Sequence, residues 1–399
     1  MLLFCIRYFI LLYPKNIIFC FIMFSRFLSV TALAAFSSAS PVVYQRDNIT
    51  NPYVFTNPNG LNFTQLDPAL PNITVFATGG TIAGSSSSNT ATTGYTSGAV
   101  GILTLLEAVP EVLDIANVAG VQISNVGSPD ITSSILLNLS KQINEVICKD
   151  DTMSGAVITH GTDTLEESAF FMDATVNCGK PIIIVGSMRP STAISADGPF
   201  NLLEAVSVGI NSDAVGRGAM VVLNDRIVSA YYATKTNANT MDTFKAVEMG
   251  NLGALISNTP YFFYPPVEPT GKIAYDISNV TEIPRVDILF SYQDMQNDTL
   301  YNAVSSGAKG IIIAGSGTGS VSTSFDYAIE DVINRFNIPV IQSTRVQNGE
   351  VPEFESETAL RITSGYLNPQ KSRVLLGILL ALDKNITEIK DAFSRNAVS

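Results

Sequence analysis

The stretch NITVFATGGTIAG, residues 72–84, sets the fold class and the first candidate site. Its apolar, β-branched half predicts a buried strand, and two glycines end that strand just before Thr81. Glycines carry no Cβ, so their backbone N–H groups can approach a ligand closely. The segment therefore predicts a strand that brings a threonine hydroxyl to the edge of a sheet.

The same alternation of a short apolar run and a helical period continues along the chain. Runs such as VQISNV, GAVITH and PIIIVGS are each followed by an amphipathic segment. Continuous apolar strands that alternate with helices predict a parallel sheet covered on both faces. The predicted fold class is α/β, with a larger N-terminal domain on a mostly parallel sheet and a smaller C-terminal α/β domain.

Composition divides the chain of 399 residues into five segments. A proline-rich stretch without helical periodicity predicts a linker, and a polar stretch near the start predicts a flexible lead-in. The predicted organisation is a leader at 1–40, a lead-in at 41–70, an N-terminal catalytic domain at 71–264, a linker at 265–284 and a C-terminal α/β domain at 285–399.

The first forty residues predict export. From Met23, a possible true start, the segment MFSRFLSVTALAAFSSASP has a basic residue, an apolar centre and small residues for cleavage near Ala39. A signal anchor that stays attached is the alternative. Seven Asn-X-Ser/Thr sequons agree with export and predict a glycoprotein in the extracellular or cell-wall space. They are Asn48, Asn62, Asn72, Asn138, Asn279, Asn297 and Asn385.

Two cysteines, Cys148 and Cys178, follow the leader. In an oxidising compartment two such cysteines are interpreted as one disulfide bond, which we predict here. Two buried thiols are the alternative.

Charge and histidine content exclude several classes of function. A net charge of −12 without a Lys/Arg cluster argues against a nucleic-acid partner. His160 is the single histidine, so a His-rich metal site is excluded, and a Ser-His-Asp triad would have only this base. We predict neither a metal nor a cofactor.

Hydroxyl, carboxylate and amine groups follow successive strands. Ligands of open α/β sheets bind beyond the carboxyl ends of the strands, where the sequence places Thr81, Thr162, Asp163 and Lys235. A threonine hydroxyl needs a base to act as a nucleophile, and a lysine kept partly neutral can supply it. Backbone donors near Thr162 can stabilise an oxyanion, and Asp163 can face a cationic group.

Each of these segments also has a purely structural interpretation. Thr-Gly-Gly-Thr alone is a tight loop, and Thr162 or Asp163 can cap the following helix together with Glu166. Taken alone, Lys235 is interpreted as a solvated lysine, and His160 as a hydrogen-bonded structural histidine. The conjunction of these residues at successive strand ends favours a catalytic site.

At these residues the sequence resembles the type II L-asparaginases, the secreted or periplasmic branch of the asparaginase/glutaminase family. The resemblance covers roughly residues 72–395. It is carried by ATGGTIAG (77–84), VITHGTDTLEES (157–168), GSMRPSTAISADGPFNL (186–202), VLNDRI (222–227), TKTNANTMDTFK (234–245) and SGYLNPQKSRVLL (364–376).

The resemblance implies roles for the catalytic residues. Thr81 matches the nucleophile that attacks the side-chain amide. Thr162, Asp163 and Lys235 match the second catalytic group, and Thr162 also contacts the substrate. Tyr95 matches a tyrosine on a mobile lid that pairs with the nucleophile.

The resemblance also implies a substrate-binding set. Ser128 matches the residue that binds the α-carboxylate, Asp163 the residue that holds the α-ammonium, and Ser187 a residue beside the scissile amide. Glu353 is the candidate for an acidic group supplied across a subunit contact, with Glu355 nearly as good. Relatives of this kind are homotetramers, which implies a homo-oligomer here.

The function implied is hydrolysis of L-asparagine to L-aspartate and ammonia through an acyl-enzyme. A mixed glutaminase-asparaginase is the first alternative, because one methylene is worth only about 1–3 kcal/mol in a pocket. A catalytically silent amino-acid-binding module is the second, although it should have lost Thr81, Thr162 or Lys235. The third alternative is a serine hydrolase that uses His160 as its base, but the sequence lacks the Gly-X-Ser-X-Gly elbow at a strand–helix turn that such an enzyme needs.

Overall fold

The computed structural model of the chain describes residues 53–86, 88–90, 96–99, 101–353 and 360–395. Within these ranges the strands are β1 (Phe55–Thr56), β2 (Asn62–Phe63), β3 (Asn72–Gly79), β4 (Asn117–Val126), β5 (Met153–Thr159), β6 (Ile182–Val185), β7 (Ala219–Leu223), β8 (Arg226–Ser229), β9 (Thr234–Lys235), β10 (Phe244–Lys245), β11 (Gly253–Ile256), β12 (Thr259–Phe262), β13 (Val286–Phe290), β14 (Gly310–Gly315), β15 (Val340–Thr344) and β16 (Arg361–Thr363).

Ten of these strands form one sheet in the order β1-β2-β4-β3-β5-β6-β7-β8-β11-β12. The five central strands, from β4 to β7, are parallel to one another, and the outer pairs are antiparallel. β3 is the central element of the site, because β4 lies on one side of it and β5 on the other. The strand order reverses at β3, and ligands of open α/β sheets bind at such a point.

Eight α-helices cover the sheets in the described part of the chain. They are α1 (Ile102–Glu107), α2 (Ser133–Val146), α3 (Leu165–Thr175), α4 (Gly198–Gly209), α5 (Asp298–Ser305), α6 (Thr323–Phe336), α7 (Pro369–Ala381) and α8 (Ile386–Ser394). Both faces of the large sheet carry buried apolar clusters, one of which includes α4 while the other includes α3 and α7. The predicted fold class is therefore confirmed, with a four-stranded parallel sheet, β13-β14-β15-β16, in the smaller C-terminal part.

Local sequence signals explain several helix starts. The side chain of Thr132 accepts a hydrogen bond from the backbone of Ile135 at the start of α2, and Ser322 does the same for α6. Asn368 caps α7, and Asn385 forms a capping box at the start of α8. These side chains satisfy N–H groups that have no partner inside the helix.

The segment predicted as a flexible lead-in, 41–70, is ordered where the structure describes it. β1 and β2 pair with each other, and β2 pairs with β4 through Phe63 and Ala119. The physical reason is burial, because Leu61 and Phe63 pack into the core under the sheet. The prediction failed for residues 53–70 because two short apolar anchors among polar residues give little periodicity.

The segment predicted as a linker, 265–284, has neither helix nor strand, and all of its residues are described. It is nevertheless fixed to the protein. Ile277 and Val280 are buried, and Lys272 Nζ lies 2.9 Å from Oδ1 of Asp173 on α3. The linker is therefore part of the packed structure.

Cys148 and Cys178 are joined by a disulfide bond that closes a 30-residue separation. No helix among the residues that the structure describes has the length and apolar character needed to cross a bilayer. The predicted leader, residues 1–40 with Met23 and Ala39, lies outside the described residues.

Candidate active site

The loops that follow three neighbouring strands meet at one edge of the large sheet. A Cβ added to Gly80 would lie 2.1 Å from the backbone nitrogen of Gly161, so the loops after β3 and β5 touch through their backbones. A Cβ on Gly161 would lie 2.8 Å from Ser128 Oγ, in the loop after β4. Thr81 directly follows the first of these glycines and Thr162 the second, so both threonines leave this contact between the two loops.

Thr81 begins a single 3-10 turn directly after β3 and is 4% exposed. Two described residues beyond it, Ser85 and Thr96, pair with each other. Ser85 and Thr96 exchange two backbone hydrogen bonds of 3.0 Å, and Gly98 N–H donates to the Gly80 carbonyl at 3.0 Å. Tyr95, the predicted lid residue, lies outside the described residues.

Lys235 reaches the same edge from β9. Its Nζ lies 3.0 Å from Thr162 Oγ1 and 2.7 Å from Asp163 Oδ1. The Lys235 side chain is 15% exposed, whereas that of Asp163 is 66% exposed. The lysine is thus enclosed, while the carboxylate keeps a face open to a second cation. The structure brings these three predicted residues together.

Ser128 organises the loop that carries Asp163. It is buried, and its Oγ accepts a hydrogen bond from the backbone N–H of Asp163 at 3.2 Å. The Ser128 carbonyl accepts a second bond, from Thr164 Oγ1 at 2.7 Å. The predicted α-carboxylate contact therefore lies next to the predicted α-ammonium contact.

Glu166 has a different position from that expected of a capping residue. The N-cap of α3 is Thr164, and its side chain makes no capping bond. Glu166 Oε2 instead accepts hydrogen bonds from the backbone N–H of Lys235 and from Thr234 Oγ1, both at 2.6 Å. Sequence reasoning missed this role, because Glu166 and Lys235 are far apart in the chain and share no motif.

His160 is fully buried, in agreement with a structural histidine. Its Nδ1 lies 2.7 Å from the Gly161 carbonyl, and its Nε2 lies 2.9 Å from Ser168 Oγ. A carbonyl only accepts, so Nδ1 carries the proton and Nε2 accepts from the serine. Burial lowers the pKa of His160 to about 4. The ring is therefore neutral near pH 7 and does not act as a charged group.

Two predicted substrate contacts have partners of their own. Ser187 is buried, and its Oγ donates to the Arg189 carbonyl at 2.8 Å. Glu353 is exposed in the C-terminal part and pairs with Lys390 of α8 at 2.9 Å. The structure therefore does not bring Glu353 to the Lys235 cluster of its own chain. Glu355 lies outside the described residues.

A cleft of about 390 Å³ opens beside this cluster. Asp163 and Lys235 line one wall of the cleft. The opposite wall comes from the carboxyl ends of strands in the C-terminal sheet, where Phe290, Thr344 and Arg345 contribute. The described residues contain no group of three or more His, Cys, Asp or Glu side chains that could hold a metal ion. The chemistry available at this edge is hydroxyl, amine, carboxylate and backbone N–H.

Two family models match the chain. The model described as "Asparaginase, N-terminal" matches residues 72–268, and the model described as "Glutaminase/Asparaginase C-terminal domain" matches residues 285–393. Together they cover the large sheet from β3 onward, the C-terminal sheet and the strand ends described above.

Curated relatives and a solved structure agree with these models. The chain is 46% identical over 348 residues to "Probable L-asparaginase 1" of Schizosaccharomyces pombe, which covers 87% of this chain and 95% of the relative. It is 50% identical over 316 residues to "L-asparaginase 2" of Bacillus subtilis, which covers 79% and 83%. The crystal structure of a probable cytoplasmic L-asparaginase from Campylobacter jejuni matches with a TM-score of 0.78 at 39% identity and covers 82% of this chain and 99% of that one.

The predicted localisation is wrong. Export to the extracellular or cell-wall space was expected from the leader and the sequons, whereas the matching crystal structure is that of a probable cytoplasmic enzyme. The reason is that both signals are short local patterns, an apolar N-terminal segment and scattered Asn-X-Ser/Thr triplets, and such patterns also arise by chance in chains that are not exported.

Proposed function

The chain belongs to the asparaginase family, and we propose that Thr81 is the nucleophile of its L-asparaginase activity, the hydrolysis of L-asparagine to L-aspartate and ammonia. One observation carries the assignment of roles. Lys235 Nζ lies within hydrogen-bond distance of both Thr162 and Asp163, at the sheet edge where Thr81 begins its turn.

The reaction proceeds in two steps. In the first, Thr81 Oγ1 forms a bond to the side-chain amide carbon, and the amide C–N bond breaks to release ammonia. In the second, water attacks the resulting ester, which releases aspartate and restores the threonine. Each step passes through a tetrahedral oxyanion, and backbone N–H groups of the loop at Thr162 are suitable donors for it.

Lys235 and Thr162 form the proton path. In the structure Lys235 donates to Thr162 Oγ1 and pairs with Asp163. A substrate α-ammonium that pairs with the open face of Asp163 shares this carboxylate. In its neutral form Lys235 then accepts the hydroxyl proton of Thr81 through Thr162 Oγ1, and it returns that proton to the leaving nitrogen, which departs as ammonia. Ser128 beside Asp163 suits the α-carboxylate.

Removal of the Thr81 hydroxyl tests the nucleophile. We expect Thr81→Val to lower ammonia release from L-asparagine by about 1,000-fold or more, because valine has the same shape and no nucleophile. Thr74→Val is the matched control. Thr74 is buried on β3, and its hydroxyl has no hydrogen-bond partner among the residues that the structure describes, so this variant should keep wild-type turnover. Turnover in Thr81→Val equal to that of Thr74→Val would remove Thr81 from the mechanism.

A comparison of L-asparagine with L-glutamine measures the substrate range. One methylene changes the free energy of transition-state binding by about 1–3 kcal/mol, which corresponds to a factor of about 10–200 in kcat/KM. Ammonia release from neither amide by the wild-type chain would instead favour the silent amino-acid-binding module.

We also propose a homotetramer and the domain division at 71–264, 265–284 and 285–399. The limits of the two family matches support the division. Exposed aromatic side chains near the edge strand β12, Tyr261, Phe263 and Tyr264, support association, because exposed apolar patches mark contact surfaces. Light scattering after size exclusion should give four times the chain mass. Glycosylation of the sequons stays a prediction, and it depends on entry into the secretory pathway.

A further inference from the structure

Glu166 connects the catalytic cluster to the C-terminal part of the chain. One oxygen of its carboxylate, Oε2, accepts hydrogen bonds from the backbone N–H of Lys235 and from the hydroxyl of Thr234. The other oxygen, Oε1, accepts a hydrogen bond from Asn368 Nδ2 at 3.0 Å. Glu166 is itself buried, so these contacts are shielded from competing water.

Asn368 has two functions at the start of α7. Its Oδ1 accepts from the backbone N–H of Lys371 at 2.9 Å and caps the helix. Its Nδ2 makes the contact with Glu166. The cap uses only the oxygen and the contact only the nitrogen, so a substitution can remove one and keep the other.

The first turns of α7 make two more contacts with the N-terminal part. The buried Lys371 Nζ donates to the carbonyls of Ala230 and Tyr231, at 3.3 and 2.7 Å. Arg373 pairs with Glu167 at 2.9 Å. Lys371 therefore holds the chain just before β9, while Asn368 holds β9 itself through Glu166.

We propose that Asn368 and Glu166 are positioning residues for Lys235, so that α7 of the C-terminal part aligns the amine with Thr162 and Asp163. This inference rests on the function proposed above. Both residues also line the cleft beside the cluster, and the role proposed for them acts through Lys235. Loss of the contact lets β9 shift relative to α3, and misplacement of a catalytic group by about 1 Å costs up to about 100-fold in rate.

Asn368→Ser separates positioning from stability. Serine caps a helix well but is too short to reach Glu166. We expect kcat for L-asparagine to fall about 10- to 100-fold, with KM within about twofold of wild type. Asn385→Ser is the matched control, since the Asn385 side chain caps α8 by accepting from backbone groups there. This control should keep both kcat and KM while it loses a similar amount of thermal stability.

Exchange of donor and acceptor gives a second test. Asn368→Asp keeps the cap but sets a carboxylate against Glu166. Glu166→Gln replaces one of the two acceptor oxygens with an amide donor, which then faces either the Asn368 amide or the donors of β9. Each single variant should lose kcat. In the double variant the new amide at position 166 can donate to the new carboxylate at position 368, and we expect kcat to recover at least threefold over the lower single variant.

The outcomes are distinct. An unchanged kcat in Asn368→Ser, or a loss equal to that in Asn385→Ser, would overturn the positioning role. A double variant whose loss is the product of the two single losses would also overturn it. Absence of asparagine hydrolysis by the wild-type chain would instead remove the proposed function.

Discussion

His160 fixes the orientation of a peptide bond at the active site and takes no part in proton transfer. Its Nδ1–H holds the Gly161 carbonyl, and a trans peptide places the carbonyl and the following N–H on opposite sides. The N–H of Thr162 therefore faces away from His160, toward the other side of the loop. The histidine orients a candidate oxyanion donor through the backbone.

The buried neutral state of His160 makes stability depend on pH. Burial lowers its pKa from the ordinary value of 6.5 to about 4 in the folded protein, so between these values the unfolded chain binds more protons. The contribution of the neutral His160 ring to the free energy of unfolding is complete above pH 6.5 and is lost as the pH falls toward 4. The total loss is about 3 kcal/mol. Urea unfolding at about pH 7 and about pH 4.5 should show this loss in the wild type and a smaller one in His160→Asn. Equal losses in both would contradict a neutral buried ring.

Lys235 can be tested against a lysine of the neighbouring strand. We expect Lys235→Met to lower kcat about 100-fold or more and to change KM much less, because the amine acts on the proton and not on substrate affinity. Lys245→Met on β10 is the control, since Lys245 pairs with Asp242 and not with the cluster. A raised KM with an unchanged kcat for Lys235→Met would make the lysine a binding residue only.

The disulfide bond between Cys148 and Cys178 ties the end of α2 to the turn before β6. A cross-link over 30 residues reduces the entropy of the unfolded chain and contributes about 3–4 kcal/mol. The variant with serine at both positions should lose this amount in urea unfolding. Reductant should destabilise the wild type equally and leave the variant unchanged. Alkylation of both cysteines in denatured, unreduced protein would rule out the bond.

Local patterns predicted the elements that carry the site, and contacts between distant elements were not predictable. The strand β3 and the turn at Thr81 follow from one apolar run and two glycines. The contact between Glu166 and Asn368 joins residues 202 positions apart, and only the packing of α7 on α3 creates it. The lead-in around Phe63 was missed for a similar reason, since its anchor is a partner strand later in the chain.

At the scale of the whole molecule, a buried ion pair between Lys272 and Asp173 ties the linker to α3. Lys272 and Asp173 are 4% and 1% exposed, and burial raises the pKa of the Asp173 carboxyl although Lys272 opposes this. Lys272→Met should lower the free energy of unfolding by about 3–5 kcal/mol, because it leaves a buried carboxylate unpaired. Lys384→Met, which breaks an exposed pair with Glu388, should cost less than about 1 kcal/mol. Equal effects in urea unfolding would mean that the linker pair is not needed for stability.

The crossing of Gly80 and Gly161 limits how this enzyme can be re-engineered. A single methyl group at either position would collide with the opposite backbone or with Ser128. A mutant library that randomises these loops will therefore yield mainly inactive variants. On the far wall of the cleft, the Phe290 side chain is 59% exposed, so it can change without a backbone collision. Directed evolution toward longer amides should therefore find its productive substitutions in the C-terminal sheet.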